Sequence, residues 1–366
     1  MKVKLGDISQ IITGPFGSQL HMSDYVSDGY PVIMPQNISN RRVNEIGIAR
    51  IDDSNFNRLI RYSVQPNDII YARRGKVDEH AFIDVPQKMI CGTGCFRVRV
   101  VSREVYPLFL SLYLNRAETR QWLISHAVGS NMPNLNTDIL SNVPLELPEY
   151  SEQVRIAQCL QSIDDKIRIN DAINDNLQQV IKSCFDFMFA TRKPNGIISD
   201  ILQEHPKSTI QVNDSTGILG DYPFFTSGEA INEWQSALVD GMNCYLSTGG
   251  NATIKGYYGK AAYSTDTWCV CGKGEYSFYL FCYLKSIIRS INDSFFAGSG
   301  LKHLQKDSLL LVNLYIPSEK ELEKFNSIVK PAMETMTKLF LETKKLKQQR
   351  DFLLPLLMNG QATIAE

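Results

Sequence analysis

The chain has 366 residues, of which 43 % are hydrophobic and 21 % are charged, and its formal net charge is −1 at pH 7. This length predicts two domains, and the mixed composition excludes a disordered or low-complexity chain. The near-zero charge gives no overall basic signature of a nucleic-acid binder, so any attraction for phosphates must come from local patches.

The opening residues and the cysteines argue against secreted, membrane and zinc-binding proteins. The first residues have no apolar segment behind their charges, and no apolar run approaches the ~20 residues that cross a bilayer, which predicts a cytoplasmic protein. The eight cysteines do not indicate a disulfide framework in a chain of this length. The pairs Cys91/Cys95 and Cys269/Cys271 fit zinc-ligand spacing poorly, so we expect buried thiols and no metal.

Residues 1–148 are predicted to form a β-rich domain. Short strand-like runs at 30–34, 68–71 and 95–101 alternate with loops rich in glycine and arginine. The segment 106–125 has the apolar spacing of a helix.

Residues 149–193 are predicted to form the first long helix. Between 151 and 188 a 3.5-residue rhythm is sustained over more than four heptads, which is typical of a coiled-coil seam. At ~1.5 Å per residue this helix would run roughly 55 Å, which one small domain cannot cover, so a partner helix is required. Seam asparagines either fix the register of a helix pair or stay solvated, and we favour register. The predicted seam consists of Ile156, Leu160, Ile163, Ile167, Asn170, Asn174, Leu177 and Ile181.

An internal repeat supplies the partner helix. Moving 169 positions along the chain from the first seam reaches a second one, and the same offset relates Gly129-Ser130 to Gly298-Ser299. Chance similarity between two amphipathic helices is the alternative, which the Gly-Ser match disfavours. The second seam includes Phe325, Val329, Met336, Leu339, Leu346 and Leu353.

The repeat divides the rest of the chain into a second β-rich domain over 194–317 and a second helix with a tail over 318–366. In this domain, 249–260 reads as one loop rich in glycine, aromatic residues and lysine. Ser318 is predicted to cap the second helix together with Glu321. Pro331 is predicted to kink or restart this helix.

No catalytic constellation is recognisable. The segment 256–261 has the wrong spacing and ending for a P-loop, the five histidines lack metal-ligand spacing, and no tetrapeptide of an amino-methyltransferase occurs. We therefore predict a non-enzymatic chain with no catalytic residue and no cofactor of its own. A nuclease or methyltransferase with degenerate motifs remains an alternative.

Three stretches and their order carry a specific resemblance. The chain opens with Leu5-Gly6-Asp7-Ile8 and then Gly14-Pro15-Phe16-Gly17-Ser18, the first helix begins with Glu-Gln-x-x-Ile at 152–156, and the tail at 349–361 reads Gln-Arg-Asp-Phe-Leu-Leu-Pro-Leu-Leu-Met-Asn-Gly-Gln. Together with the duplication, this order resembles the specificity subunit of type I restriction–modification systems, over essentially the whole chain.

The resemblance implies an α+β fold in which two β-rich target-recognition domains form a pseudo-two-fold tandem repeat, separated by two long antiparallel coiled-coil helices. Each domain would read one half of a bipartite double-stranded DNA target, and the helices would act as a ruler over the spacer. Two methylation subunits would dock on the helices, and nuclease/translocase subunits would join them. S-adenosylmethionine and ATP/Mg would bind those partners.

Base edges in the major groove are read by forked donors and amides, which directs attention to the loops. For each candidate the alternative is an exposed loop charge or a turn residue. For the whole chain the alternative is a protein scaffold of the same architecture that reads no DNA. The predicted DNA-contacting residues are Ser18, Gln19, Arg41, Arg42, Arg73, Arg74 and Lys76 in the first domain and Asn251, Lys255, Tyr257, Tyr258, Lys260, Lys302 and His303 in the second.

Overall fold

The computed structural model describes residues 1–129, 132–298, 300 and 302–364, so Ser130 and Ser299 of the repeated Gly-Ser pairs lie outside the described residues. The chain divides into two compact units. Unit 1 comprises Met1–Asp165 with Lys347–Glu366, and unit 2 comprises Lys166–Leu346. The division therefore falls within both long helices.

Unit 1 carries twelve strands among its described residues, arranged mainly in two four-stranded sheets. The strands are β1 (Lys2–Lys4), β2 (Ser9–Thr13), β3 (Tyr25–Val26), β4 (Tyr30–Ile33), β5 (Ile38–Ser39), β6 (Arg42–Val43), β7 (Arg50–Ile51), β8 (Ile69–Ala72), β9 (His80–Phe82), β10 (Ile90–Cys91), β11 (Cys95–Val100) and β12 (Pro144–Glu146). The helices are α1 (Leu5–Ile8), α2 (Asp53–Arg58), α3 (Pro107–Leu114), α4 (Ala117–His126), α5 (Thr137–Ser141) and α6 (Tyr150–Phe189), whose later residues pass into unit 2.

Unit 2 repeats this plan with fewer strands. The strands are β13 (Gly196–Ile197), β14 (Leu202–Glu204), β15 (Tyr222–Phe225), β16 (Ile231–Trp234), β17 (Met242–Ser247), β18 (Ile254–Tyr258), β19 (Ala262–Tyr263), β20 (Thr267–Gly272), β21 (Phe296–Ala297), β22 (His303–Leu304) and β23 (Asn313–Leu314). The helices are α7 (Ile198–Ile201), α8 (Ser277–Ser286), α9 (Ile288–Ser294), α10 (Lys306–Leu310) and α11 (Glu319–Met358), whose last residues belong to unit 1.

The sheets of the two units have matching topology. The antiparallel order β2-β11-β8-β9 in unit 1 corresponds to β14-β20-β17-β18 in unit 2. In the second sheet of each unit one parallel pair occurs, β4 with β10 and β15 with β19. A two-stranded sheet, β1 with β12 or β13 with β23, joins the start of each repeat to the segment before its following helix. This repetition confirms the predicted α+β fold with two β-rich repeats.

The inner strands of the first sheets are covered on both faces. Every residue of β8 and of β17 is buried, as expected for strands with packing partners on both sides of the sheet. In unit 1, α3 supplies part of this cover because seven of its eight residues are buried. The predicted helix 106–125 is therefore two helices, α3 and α4, because the backbone of Arg116 between them is extended.

The two long helices run antiparallel within each unit. In unit 2, the Phe189 ring centroid lies 5.3 Å from that of Phe325, and Asn170 Nδ2 donates to Glu342 Oε2 at 2.8 Å. Later residues of α6 therefore contact earlier residues of α11, which is the order expected for antiparallel helices. In unit 1, Asp164 Oδ1 accepts from Arg350 Nη1 at 3.2 Å, which continues the same order. The predicted antiparallel pair is confirmed.

The second long helix is continuous from Glu319 to Met358, so the predicted restart at Pro331 is wrong. Proline has no N–H to donate to the carbonyl four residues earlier, which is that of Ser327. Because Pro331 and Ser327 are both exposed, water can bond to this carbonyl and the helix continues. The predicted cap is present in modified form, because Glu321 Oε2 accepts from both the backbone nitrogen and the hydroxyl of Ser318. None of the helices within the described residues has both the length and the apolar composition of a bilayer span.

Candidate nucleic-acid interface

In unit 1, two loops pair through their backbones. Gly75 N donates to Pro133 O at 3.0 Å, and Leu135 N donates to Arg73 O at 2.9 Å. Arg74 and Asn134 form an isolated antiparallel bridge between these bonds. We call residues 73–76 and 132–135 the paired loop of unit 1. It joins the turn between β8 and β9 to the segment that leads into α5.

Unit 2 repeats this pairing bond for bond. Gly250 N donates to Lys302 O at 2.9 Å, and Leu304 N donates to Thr248 O at 3.0 Å. Gly249 and His303 form the corresponding bridge. Residues 248–251 and 302–304 are the paired loop of unit 2, and they occupy the same place between the inner strand β17, its neighbour β18 and the segment before α10.

One glycine in each paired loop makes the turn possible. Gly75 has φ +76° and Gly250 has φ +78°, a left-handed conformation that other residues adopt with strain. Leu135 and Leu304, which lie 169 positions apart in the chain, are both buried beneath their loops. The repeat therefore preserves the backbone and the buried anchor of the loop.

The paired loop of unit 1 presents basic side chains. Arg74 and Lys76 are exposed, and Lys76 Nζ lies 3.5 Å from Glu79 Oε1. The Arg73 guanidinium lies over the Phe16 ring at 5.8 Å and over the Phe96 ring at 6.0 Å. Since a guanidinium over an aromatic face is attracted to it, Arg73 ties the glycine-rich loop around Phe16 to the paired loop.

The glycine-rich loop itself carries Ser18 and Gln19, both exposed. Gln19 Oε1 accepts from Tyr62 Oη at 2.9 Å and from the backbone nitrogen of Phe16 at 3.3 Å. The amide oxygen of Gln19 is thus used to shape the loop. Phe16 has 57 % of its surface exposed but is not among the predicted DNA-contacting residues. Its place in a turn between Pro15 and Gly17 was a sequence signal for an exposed aromatic ring.

Where the paired loop of unit 1 exposes the guanidinium of Arg74, the paired loop of unit 2 exposes an amide, an amine and an imidazole. Asn251, Lys302 and His303 are all exposed. Ser247 holds the loop, because its hydroxyl donates to Asn251 O at 2.8 Å and accepts from Thr253 N at 2.9 Å. The candidates in this loop therefore sit on a fixed backbone.

Four other candidates of unit 2 lie on or beside a strand, because the predicted loop 249–260 ends where β18 begins at Ile254. Lys255 Nζ donates to Thr226 O at 2.8 Å and also to Gly228 O, and its burial lowers its pKa. Tyr257 is buried against Phe340, and Tyr258 packs on Phe278. Lys260 is exposed just after the strand.

Two candidates of unit 1, Arg41 and Arg42, lie at the β5–β6 hairpin. Arg41 Nη1 donates to Asp164 Oδ2 at 2.7 Å, and this guanidinium is only 11 % exposed. Arg42 Nη1 lies 3.5 Å from Asp84 Oδ2, with both side chains more than 40 % exposed. The paired loop therefore brings together Arg73, Arg74 and Lys76, whereas Arg41 is held by partners inside unit 1.

The predicted seam positions are all buried or half-buried. Asn170 is buried, and its amide nitrogen donates to Glu342 Oε2 and, at 3.3 Å, to Thr343 Oγ1. Lys166 Nζ lies 3.5 Å from the same carboxylate. This polar layer within unit 2 supports the interpretation that Asn170 fixes register.

In the described part of the chain, no group of three or more His, Cys, Asp or Glu side chains is placed to hold a metal ion. Five of the eight cysteines are buried and the others are half-buried, as predicted for thiols with a packing role. Burial raises the pKa of Cys91 to about 12, so this thiol stays protonated at neutral pH.

Comparison with known proteins connects this geometry to a family. Residues 1–179 match the family described as "Type I restriction modification DNA specificity domain". The specificity subunit of the type I restriction enzyme HindI from Haemophilus influenzae is 25 % identical over 197 residues, which cover 52 % of this chain and 40 % of that relative. The EcoDI specificity subunit from Escherichia coli is 27 % identical over 151 residues, which cover 39 % and 33 %.

These matches span less than half of the length of either curated relative. The crystal structure of a type I restriction–modification S subunit from M. genitalium covers 98 % of this chain and 95 % of its own, with a TM-score of 0.67 and 14 % identity, a likeness in fold alone. The first 179 residues thus belong to the family of type I restriction–modification DNA specificity domains, and the chain is related to the specificity subunits of those systems.

Proposed function

We propose that this chain is the sequence-specific DNA-recognition subunit of a type I restriction–modification complex, in which each unit reads one half of a bipartite target. The observation that carries the proposal is the paired loop, which recurs in both units with the same two backbone hydrogen bonds and the same left-handed glycine. A rigid backbone with different exposed side chains is the arrangement that reading two different half-sites requires.

The side chains on the two loops favour different bases. Arg74 in unit 1 can donate two parallel bonds to O6 and N7 of guanine, and Lys76 can contact a guanine or a phosphate. In unit 2, Asn251 offers the donor and acceptor that match N6 and N7 of adenine, and Lys302 suits a phosphate. The proposal therefore expects a guanine-dependent half read by unit 1 and an adenine-dependent half read by unit 2.

The net charge of −1 limits what the chain can do alone. Phosphate neutralisation dominates the affinity of most DNA-binding proteins, and a nearly neutral chain contributes little of it. Partner subunits would supply most phosphate contacts, so the DNA-binding species is the hetero-oligomer. In it, S-adenosylmethionine and ATP/Mg would bind the partners, and this chain would have no catalytic role.

An exposed apolar stripe on α6 supports protein partners on the long helices. Its members lie in unit 2 at heptad-like spacing and have exposed fractions from 39 % to 90 %. Such a stripe is typical of a helix face that meets another protein, and two methylation subunits, joined by nuclease/translocase subunits, would fit the proposal. The stripe also favours the alternative function, a scaffold that reads no DNA. The residues are Ile169, Ile173, Val180 and Phe187.

Methylation mapping in cells that carry this chain and its neighbouring methylation subunit tests the proposal. We expect a split motif methylated on both strands that disappears when the gene of this chain is deleted. Arg74→Ala should relax the requirement in one half and Asn251→Ala in the other, each by roughly 1–3 kcal/mol of discrimination. Methylation that the deletion leaves unchanged, although the protein binds its methylation subunit in the undeleted cells, would favour the scaffold.

A further inference from the structure

The β5–β6 hairpin of unit 1 turns on an unusual pair of residues. Asn40 has φ +51° and Arg41 has φ +61°, so both turn positions are left-handed. Two-residue hairpins with this geometry strongly prefer glycine at the second position, because a Cβ is strained there. An arginine at this strained position indicates that the contacts of its side chain offset the strain of the turn.

The Arg41 side chain ties the hairpin to both long helices. Its Nη1 donates to Asp164 Oδ2 on α6 at 2.7 Å, and Asp164 Oδ1 accepts from Arg350 Nη1 on α11 at 3.2 Å. Asp164 is 13 % exposed, so the carboxylate is shared by two guanidinium groups with little competition from water. All three residues belong to unit 1.

The same guanidinium is also connected, through Ser111 and His80, to the strands that carry the paired loop. Arg41 Nε donates to Ser111 Oγ at 3.2 Å, and Ser111 Oγ lies 3.0 Å from His80 Nε2. His80 is the first residue of β9, and its ring stacks on Tyr71 of β8 with centroids 5.0 Å apart. Since the segment from 73 to 79 joins these two strands, the contacts run from the base of the paired loop to the helix pair.

We propose that Arg41 is a positioning residue that holds the paired loop of unit 1 at a fixed place on the helix pair and thereby sets the spacer length that the target must have. This inference rests on the proposed function. One base pair of spacer moves a half-site by ~3.4 Å and by about a tenth of a helical turn, so a reading loop must be held rigidly to reject the wrong spacing. Arg41 would act through Asp164 and Arg350 and would touch no base.

Arg42 provides a matched control within the same hairpin. It is also an arginine in an ion pair, but its partner Asp84 lies outside the long helices and both side chains are largely exposed. Loss of Arg42 removes a charge from the hairpin and leaves the contact with α6 and α11 in place. A difference between the two positions therefore isolates the link to the helices from the charge of the hairpin.

The test measures binding of the complex with its methylation subunits to duplexes with the native spacer, with one base pair more or less, and with single substitutions in each half-site. For the native chain we expect about tenfold or greater preference for the native spacer, of the size of a base mismatch. Arg41→Gly should reduce this preference to about threefold or less while base preferences in both halves stay intact. The spacer preference of Arg41→Lys should fall between these two values, and Arg42→Gly should keep the spacer preference of the native chain.

Two results would overturn the inference. Relaxed base preference in one half with an intact spacer preference would show that Arg41 reads DNA. Equal behaviour of Arg41→Gly and Arg42→Gly would show that the helix contact does not position the loop. If Arg41→Gly does not fold, Asp164→Asn removes the same ion pair from the helix side, and its spacer preference decides. A native complex without any base preference would instead refute the proposed function.

Discussion

The two units share their sheet order and loop backbone but differ in how they pack on the long helices. In unit 2, Phe325 of α11 packs against Phe185 and Phe189 of α6, with ring centroids 6.3 and 5.3 Å apart. In unit 1, the position 169 residues earlier is Ile156, which is buried in the same hydrophobic core as Leu357. The long helices thus contribute aromatic rings to the core of unit 2, whereas in unit 1 the residues that they bury in the core are aliphatic residues and a methionine.

Polar contacts to the helices differ as well. Unit 1 uses the half-buried Arg41–Asp164–Arg350 group, whereas in unit 2 Lys344 of α11 reaches Glu233 Oε1 and Gly220 O, each at 3.0 Å. The duplication thus preserved the backbone bonds that shape the paired loops and left the side chains free to diverge. Under the proposed function, this divergence would let two related units read different half-sites.

The largest expected effect concerns the aromatic contact of unit 2. Phe325→Ala removes a fully buried ring and should lower the free energy of unfolding of unit 2 by about 3–5 kcal/mol. Urea unfolding followed by the fluorescence of Trp234 and Trp268, both in unit 2, measures this loss. The matched control is Phe187→Ala, whose ring is 90 % exposed and whose loss should change the free energy by less than about 0.5 kcal/mol. Equal effects at the two positions would contradict the packing described for α11.

Lowering the pH should reduce the stability of unit 1 through protonation of His80, which has no counterpart effect in this prediction for unit 2. Burial, with help from the nearby Arg41 and Arg120 guanidinium groups, lowers the pKa of His80 to about 3 from 6.5. Because the unfolded chain binds the proton more readily, this residue's contribution to stability is complete above pH 6.5 and is lost as the pH falls towards 3. The loss should reach roughly 3 kcal/mol at pH 4 and should be confined to unit 1.

His80→Gln keeps a polar atom near Ser111 and removes the titration. The variant should therefore show a smaller drop in the unfolding midpoint of unit 1 between pH 7 and pH 4 than the native chain. In chains that keep only Trp122 the fluorescence reports on unit 1, and in chains that keep only Trp234 and Trp268 it reports on unit 2. The same acid sensitivity in the native chain and in His80→Gln would contradict the assignment to His80.

The smallest expected effect tests the polar contact of unit 2. The side chains of Lys344 and Glu233 are about one-fifth exposed, so solvent weakens their ion pair less than at an open surface but still screens it. Lys344→Met should cost about 1 kcal/mol of the free energy of unfolding of unit 2. Asp164→Asn in unit 1 should cost more, about 1.5–3 kcal/mol, because two guanidinium groups lose a charged acceptor. The reverse order in urea unfolding would contradict the comparison of the two units.

Periodic and repeated features could be predicted from the sequence. The seam from Ile156 to Ile181 is a local pattern, and the offset of 169 residues revealed the repeat and the second helix. The continuous helix through Pro331 could not be predicted, since it depends on which face of α11 is exposed.

Contacts between distant residues were also invisible in the sequence. Arg41 looked like a loop arginine, and its partner Asp164 lies 123 positions away. Lys255 looked like a candidate for DNA contact, whereas its amine is held by carbonyls of the β15–β16 turn. The two paired loops, by contrast, could be expected as turns from the sequence, because the backbone role of Gly75 and Gly250 follows from their residue type.

The most direct test of the central claim exchanges residues 1–148 for the corresponding domain of a relative with a different target, with the junction before α6, and then maps methylation in cells. We expect one half of the split motif to change to that of the relative and the other half to be retained. A change in both halves, or in neither, would contradict the claim that each unit reads its own half-site.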